Sequence, residues 1–191
     1  MKGPSVTTAL GPFTDFSSIP ATVLENACRR GGIVHAATAA YARGLWVKPL
    51  APTYAGYFQS FKNWFDKYVD QVLLVEVRLT CDVYGFHGKP DLVCILTDGR
   101  FMVVDLKTPV TEAPTWKAQL AAYRYLVGEH FKENAKFFKY RGAWNTLGSP
   151  PQCMSLIVRA DGGPAKAILY EYSDDDFAAY LSALNAYRYF K

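Results

Sequence analysis

Gly88-Lys89-Pro90-Asp91-Leu92-Val93-Cys94-Ile95-Leu96-Thr97-Asp98-Gly99-Arg100-Phe101-Met102-Val103-Val104-Asp105-Leu106-Lys107 is the stretch on which the fold turns. Two apolar runs flank Asp98-Gly99, a dipeptide suited to a tight turn. Asp91–Leu96 and Phe101–Leu106 are therefore expected to pair as a hairpin. Asp91, Asp105 and Lys107 lie inside or beside these runs. Aspartate is depleted in strands, and an unpaired charge in an apolar interior costs more than a small domain readily offsets. A divalent cation is the usual compensator. Residues two apart on a strand share a face, so Asp105 and Lys107 are expected to face a cleft while Val104 and Leu106 face the core. Asp91 can approach Asp105 across the hairpin. The Leu106 backbone carbonyl, pointing sideways from its strand, is a further candidate ligand. Magnesium takes oxygen ligands in octahedral geometry. It can polarise a phosphate and lower the pKa of a water. A lysine beside it can position or help deprotonate that water, or hold charge developing on phosphorus. The residue types and their order point to phosphodiester hydrolysis.

Outward from this core the chain reads as helices, three strand-like runs, a helix, two strands and a final helix. Residues 1–16 look irregular. Ser18 followed by Ile19-Pro20 suggests a capped helix start, with an end near Arg30 before Gly31-Gly32. A second helix is expected from Ile33 to Arg43, its slim apolar face made by Ile33, Ala36, Ala37 and Ala40. Residues 53–69 place Tyr57, Phe61, Trp64, Phe65 and Tyr68 at helical intervals. Gln71–Tyr84 and Lys89–Leu96 are the first strand-like runs, and Trp116–Phe131 is helical. Residues 141–152 form a loop, Met154–Val158 and Ala167–Tyr172 are late strands, and Asp174–Asp176 opens a helix with acids on its first turn. A central sheet with helices packed on it is the simplest architecture. One domain over 1–191 is expected, with a helical part at 18–70, a sheet and helix at 71–131, and closing strands and helix at 152–191.

With 50% hydrophobic and 15% aromatic residues the composition excludes a disordered chain. The formal charge of +4 permits a polyanionic partner without demanding one. Cys28, Cys81, Cys94 and Cys153 form no CxxC pair, which argues against a zinc ribbon. They are expected to be buried free thiols in a reducing, intracellular (cytoplasmic) compartment. The first residues carry no secretory pattern. No apolar run approaches about 18 residues, so no membrane segment is expected. No GxxxxGK[ST] occurs, so no nucleotide is expected on a P-loop.

The order Pro90-Asp91, turn, Asp105-Leu106-Lys107 resembles the PD-(D/E)XK nuclease superfamily in its D-x-K form. Gly32-Ile33-Val34-His35 resembles the glycine-plus-histidine motif of the RecB-like branch, and Gln119-x-x-x-Tyr123 its Q-x-x-x-Y motif. Glu76 resembles the acid that often precedes the first catalytic strand there. The resemblance implies a restriction-endonuclease-like α/β fold, a central mixed sheet flanked by helices. It implies His35, Asp91 and Asp105 as ligands of Mg2+ or Mn2+, with Lys107 as the catalytic lysine. Gln119 and Tyr123, four apart on a helix, would border the site and touch the lysine or a DNA phosphate. Glu76 stays open between ligand, water-orienting group and surface acid. Standalone members, including phage exonucleases and the mitochondrial genome maintenance exonuclease, cut DNA, often single strands from an end. Some relatives hold an iron–sulfur cluster on four cysteines, and the cysteine spacing here implies none.

The expected function is a metal-dependent DNA exonuclease in recombination, repair or replication, with DNA and a recombination or replication protein as partners. The alternatives are a structure-specific flap or junction endonuclease and a non-catalytic DNA-binding or assembly subunit. Phe131 to Arg141 interleaves Lys132, Lys136, Lys139 and Arg141 with Phe137, Phe138 and Tyr140. It is either a strand-binding stretch or a solvated basic helix face. His87 and His130 are expected at the surface without partners. Tyr180, Tyr187, Tyr189 and Phe190 are expected in the core or at a subunit contact.

Overall fold

The computed structural model describes residues 3–109, 111–134, 150–171 and 173–191. The helices are α1 (Val6–Leu10), α2 (Ala21–Ala42), α3 (Pro52–Tyr68), α4 (Thr115–Asn134) and α5 (Asp174–Tyr189). The strands are β1 (Val69–Val75), β2 (Leu79–Cys81), β3 (Phe86–Gly88), β4 (Leu92–Leu96), β5 (Phe101–Lys107), β6 (Gln152–Ile157) and β7 (Lys166–Tyr170). Lys136 to Arg141, the loop 141–149 and Tyr172 lie outside the described residues.

A five-stranded mixed sheet runs β1-β4-β5-β6-β7, and β2-β3 forms a separate two-stranded sheet. The β4–β5 hairpin pairs Leu92 with Val104 and Ile95 with Phe101. Its turn uses Gly99 at φ 85°, a conformation glycine adopts without steric cost. The β5–β6 pair is parallel and so needs a crossover, which contains α4. Helices cover both faces. Met102, Val104 and Leu106 pack with Val34, Phe61 and Trp64 from α2 and α3. Val103 and Phe101 pack with Leu120, Val127 and Phe131 from α4 and with Tyr180 from α5. This two-sided burial explains why the hairpin strands read as continuous apolar runs. It also corrects the expected cleft: Asp105 is only 3% exposed, covered on the α4 face.

Several boundaries differ from the sequence reading. The 1–16 segment is not irregular. Ser5 caps α1 by accepting from the Thr8 N–H at 3.0 Å, and Val6 and Ala9 are fully buried. A five-residue helix cannot stand alone in water, so packing rather than propensity holds it. The expected break at Gly31-Gly32 is absent, and α2 begins after Pro20 without a side-chain cap. Each glycine costs about 1 kcal/mol in a helix. Tertiary contacts offset that: Tyr41 meets Phe58 and Phe65 edge-on and donates to Asp66 at 2.6 Å. The buried stripe of α2 is Val34, Ala37, Thr38, Ala39 and Ala42, not the expected face containing Ala36. Gln71–Tyr84 is two strands in two sheets, separated at Glu76, whose φ is 50°. His87 is partnered, its Nδ1 lying 2.9 Å from the Gly3 carbonyl. His130 rests edge-on against Phe131. Tyr180 is core, whereas Tyr189 and Phe190 are exposed. No helix among the described residues is long and apolar enough to cross a membrane.

Cys28 is exposed, against expectation, while Cys81, Cys94 and Cys153 are buried. Burial pushes the Cys94 and Cys153 thiols up to about 12. A thiol-reactive probe will therefore label native protein rapidly at Cys28 alone, with the other three reacting only in denaturant. A Cβ at Gly31 meets nothing within 4 Å, whereas one at Gly56 would lie 1.8 Å from the Ala160 carbonyl oxygen. Gly31→Ala should raise the unfolding free energy by about 0.5–1 kcal/mol, and Gly56→Ala should lower it by about 1–3 kcal/mol. Urea denaturation of both variants checks the pair of signs.

Candidate active site

Three elements converge at the end of the sheet where β4 begins and β5 ends. Pro90 ends the extended approach to β4, and Asp91 follows at its threshold. Asp91 Oδ2 accepts from the Leu106 N–H at 2.8 Å, and Oδ1 lies 3.0 Å from His35 Nδ1. One carboxylate thus ties β4 to β5 and to α2. Glu76 lies just beyond β1, its N–H donating to the Asp91 carbonyl at 3.2 Å. Arg43, at the end of α2, donates to the Val75 carbonyl at 2.7 Å, the peptide just before Glu76, whose φ is 50°. A non-glycine residue in that region stores on the order of 1–3 kcal/mol.

One donor atom each from His35, Glu76 and Asp91 lies within 4.8 Å of the others. Octahedral ligands at about 2.1 Å stand about 3 Å apart when adjacent and about 4.2 Å when opposite. The 3.0 Å His35–Asp91 separation matches adjacent ligands. Strand alternation turns the Leu106 carbonyl to the β4 side of β5. Lys107 O accepts from Val158 N at 2.9 Å and so points to β6, and the neighbouring peptide alternates toward Asp91. One imidazole with carboxylate and carbonyl oxygens suits a hard divalent ion.

Asp105 lies outside that trio. Its Oδ1 accepts from Gln119 Nε2 at 3.1 Å, and its Oδ2 forms an ion pair with Lys107 Nζ. Lys107 thereby compensates the buried Oδ2 directly. Burial, and then the Asp91 charge, raise the Asp105 pKa against the opposing pull of Lys107 and His35.

The β5–α4 connection sets α4 over this pair, and Trp116, Gln119 and Tyr123 fall at i, i+3 and i+7 on one face. Gln119 Oε1 accepts from Lys107 Nζ at 3.0 Å while Nε2 serves Asp105 and, at 3.3 Å, the Tyr123 hydroxyl. The opposite amide orientation would set oxygen against carboxylate. Burial, then the Asp105 charge, hold the Tyr123 phenol well above its ordinary range. The Trp116 ring centroid lies 4.9 Å from Lys107 Nζ, a cation–π contact. Sequence reasoning missed Trp116, although its place three residues before Gln119 was a usable signal. It also missed Arg43 and Lys89, whose Nζ lies 3.2 Å from Glu76 Oε2. Gly88 makes room for α4: a Cβ there would lie 2.7 Å from the Tyr123 ring.

A family model described as the PD-(D/E)XK nuclease superfamily matches residues 11–186. Among solved structures the chain is similar to a crystal structure of a candidate exonuclease from Eubacterium rectale. Identity is 10% and the TM-score is 0.47, with 82% of this chain and 64% of that chain covered. The chain thus spans under two thirds of that protein's length. No curated protein matches the chain.

Burial lowers the His35 pKa, but the bond to Asp91 and the charges of Asp91 and Asp105 outweigh burial and Lys107, and the net shift is upward from 6.5. The folded protein therefore holds a proton that the unfolded chain releases. The resulting stabilisation is complete below pH 6.5 and is lost as pH rises through the higher folded-state value. In chelator-treated protein, the melting temperature should fall across that window for wild type. The fall should be absent in His35→Gln; equal slopes for the two would contradict the His35–Asp91 coupling.

Proposed function

Because the chain belongs to the PD-(D/E)XK nuclease superfamily, we propose that it is a Mg2+- or Mn2+-dependent deoxyribonuclease of the RecB-like type that works from DNA ends. The single observation that carries this reading is the His35–Glu76–Asp91 trio set against Lys107, held by Gln119. The G-x-x-H and Q-x-x-x-Y resemblance supports the end-directed choice. His35, Glu76, Asp91 and the Leu106 carbonyl would hold the cation, with Asp105 Oδ2 the adjoining acceptor. When bound, the ion supplies charge stabilisation at the scissile phosphate and lowers the pKa of water there.

The remaining work belongs to the protein. Gln119 and Trp116 hold Lys107 Nζ at a fixed position. From there it meets a non-bridging phosphate oxygen and counters the charge that develops on phosphorus. Asp105 balances Lys107, so the lysine is retained in a buried setting without an uncompensated charge. Tyr123, kept protonated, fixes Gln119 from behind. The Leu106 N–H holds Asp91 so that its other oxygen points to His35. DNA recombination, repair or replication is the setting we assign to this activity.

End-labelled linear single strands, duplex and circular single strands, each with and without manganese, test the reading. Linear DNA should be degraded only with the metal, and circular single strands should stay intact; cutting of circles would favour an endonuclease. Lys107→Ala should lower the cleavage rate by about 10²–10⁴-fold while DNA affinity in calcium stays near the wild-type value. Undiminished cutting by that variant would contradict the assignment of the lysine.

A further inference from the structure

The sheet end that carries Asp91 and Lys107 continues into a second concavity. Val158 follows β6 and donates its N–H to the Lys107 carbonyl, and β7 begins at Lys166 opposite Ile157. Neighbouring strands lie about 4.8 Å apart, so the backbone at the cavity's edge begins about one strand spacing from the Lys107 backbone. A cavity of about 460 Å³ opens there, lined among others by Tyr57, Thr108, Val158, Arg159 and Lys166. That is within the roughly 300–1,000 Å³ of small-molecule sites.

Its walls are built in advance. Gly56 lets α3 press on the 159–162 turn, where any Cβ would strike the Ala160 carbonyl. Ser60 Oγ accepts from the Arg159 N–H at 3.1 Å. The Arg159 guanidinium is held by Asp161 at 2.7 and 3.1 Å. Tyr57 brings one aromatic ring to the cavity; the Arg30 guanidinium, outside the cavity lining, stacks over that ring 5.6 Å from its centroid. Arg30 pairs with no carboxylate among the described residues, and its Nε is buried without a hydrogen-bond partner. Lys166 is exposed and makes no ion pair among the described residues. An aromatic ring, apolar walls and the unpaired Lys166 ammonium, with the lining Asp161 carboxylate already neutralised by Arg159, match an unpaired nucleotide: base on ring, phosphate on cation.

We propose that this cavity is a nucleotide subsite, in which Tyr57 stacks one unpaired base of a DNA strand and Lys166 holds the adjoining phosphate, next to the scissile position at Lys107. The proposal rests on the nuclease reading above and narrows it to substrates with a single-stranded or frayed end. A base inside a duplex cannot reach the ring.

The test compares a short oligothymidylate with an abasic strand of the same length, by fluorescence anisotropy in calcium. Wild type should prefer the strand with bases by about 5- to 100-fold, the range lost with one base–aromatic stack. Tyr57→Ala should abolish the preference, Tyr57→Phe should keep it, and Lys166→Gln should weaken both strands alike. The wild-type comparison and Tyr57→Phe need no tolerance of a truncated side chain. Cleavage of linear DNA by wild type in manganese is read in parallel. Cutting without any preference for bases, or with the same preference in Tyr57→Ala, would overturn the subsite and leave the nuclease reading standing. Neither binding nor cutting would overturn both.

Discussion

The carboxylate of Asp91 is the constraint on which the rest of the site depends. One oxygen is fixed by the Leu106 amide of the neighbouring strand, and the other meets His35 on α2. The hairpin register, the seating of α2 and the orientation of the histidine are therefore set together. Moving any one of these elements by a residue would turn His35 or Leu106 away, since strand and helix periods put adjacent side chains on different faces. The same carboxylate raises the affinity of His35 for its proton. On the proposed metal reading, protonation of His35 and binding of an ion oppose one another.

The second layer of the site solves a different problem. Asp105 and Lys107 are charged groups placed where the sheet is covered by a helix. Mutual pairing alone does not recover the desolvation of two buried ions unless hydrogen bonds complete it. Gln119 supplies those bonds to both partners, and Trp116 supplies a quadrupole to the lysine. Tight packing holds this layer in place: Gly88 is needed for the close approach of the Tyr123 ring, as Gly56 is on the far side of the sheet for the 159–162 turn.

Much of this was legible in the sequence because it is local. Asp98-Gly99 between apolar runs specified the hairpin, and the spacing from Asp91 to Asp105 followed from the turn. The four-residue interval from Gln119 to Tyr123 put both on one helix face. What stayed hidden depends on contacts distant in sequence. The Gly31-Gly32 pair reads as a break, yet packing of α2 on α3 outweighs its cost. The apolar pattern of β5 could not tell a sheet covered on both faces from one with a cleft, so the burial of Asp105 was unforeseen. The positive φ of Glu76 has no local cause in its sequence; Arg43, more than thirty residues earlier, holds the carbonyl before it.

The central claim is that His35, Glu76 and Asp91 bind one divalent ion within reach of Lys107. Anomalous scattering from a crystal soaked in manganese tests it most directly. The account predicts a single strong peak bounded by His35 Nδ1, Glu76 and Asp91, on the Leu106 carbonyl side, that disappears in Asp91→Ala. A peak elsewhere on the molecule with none among these three residues would contradict it.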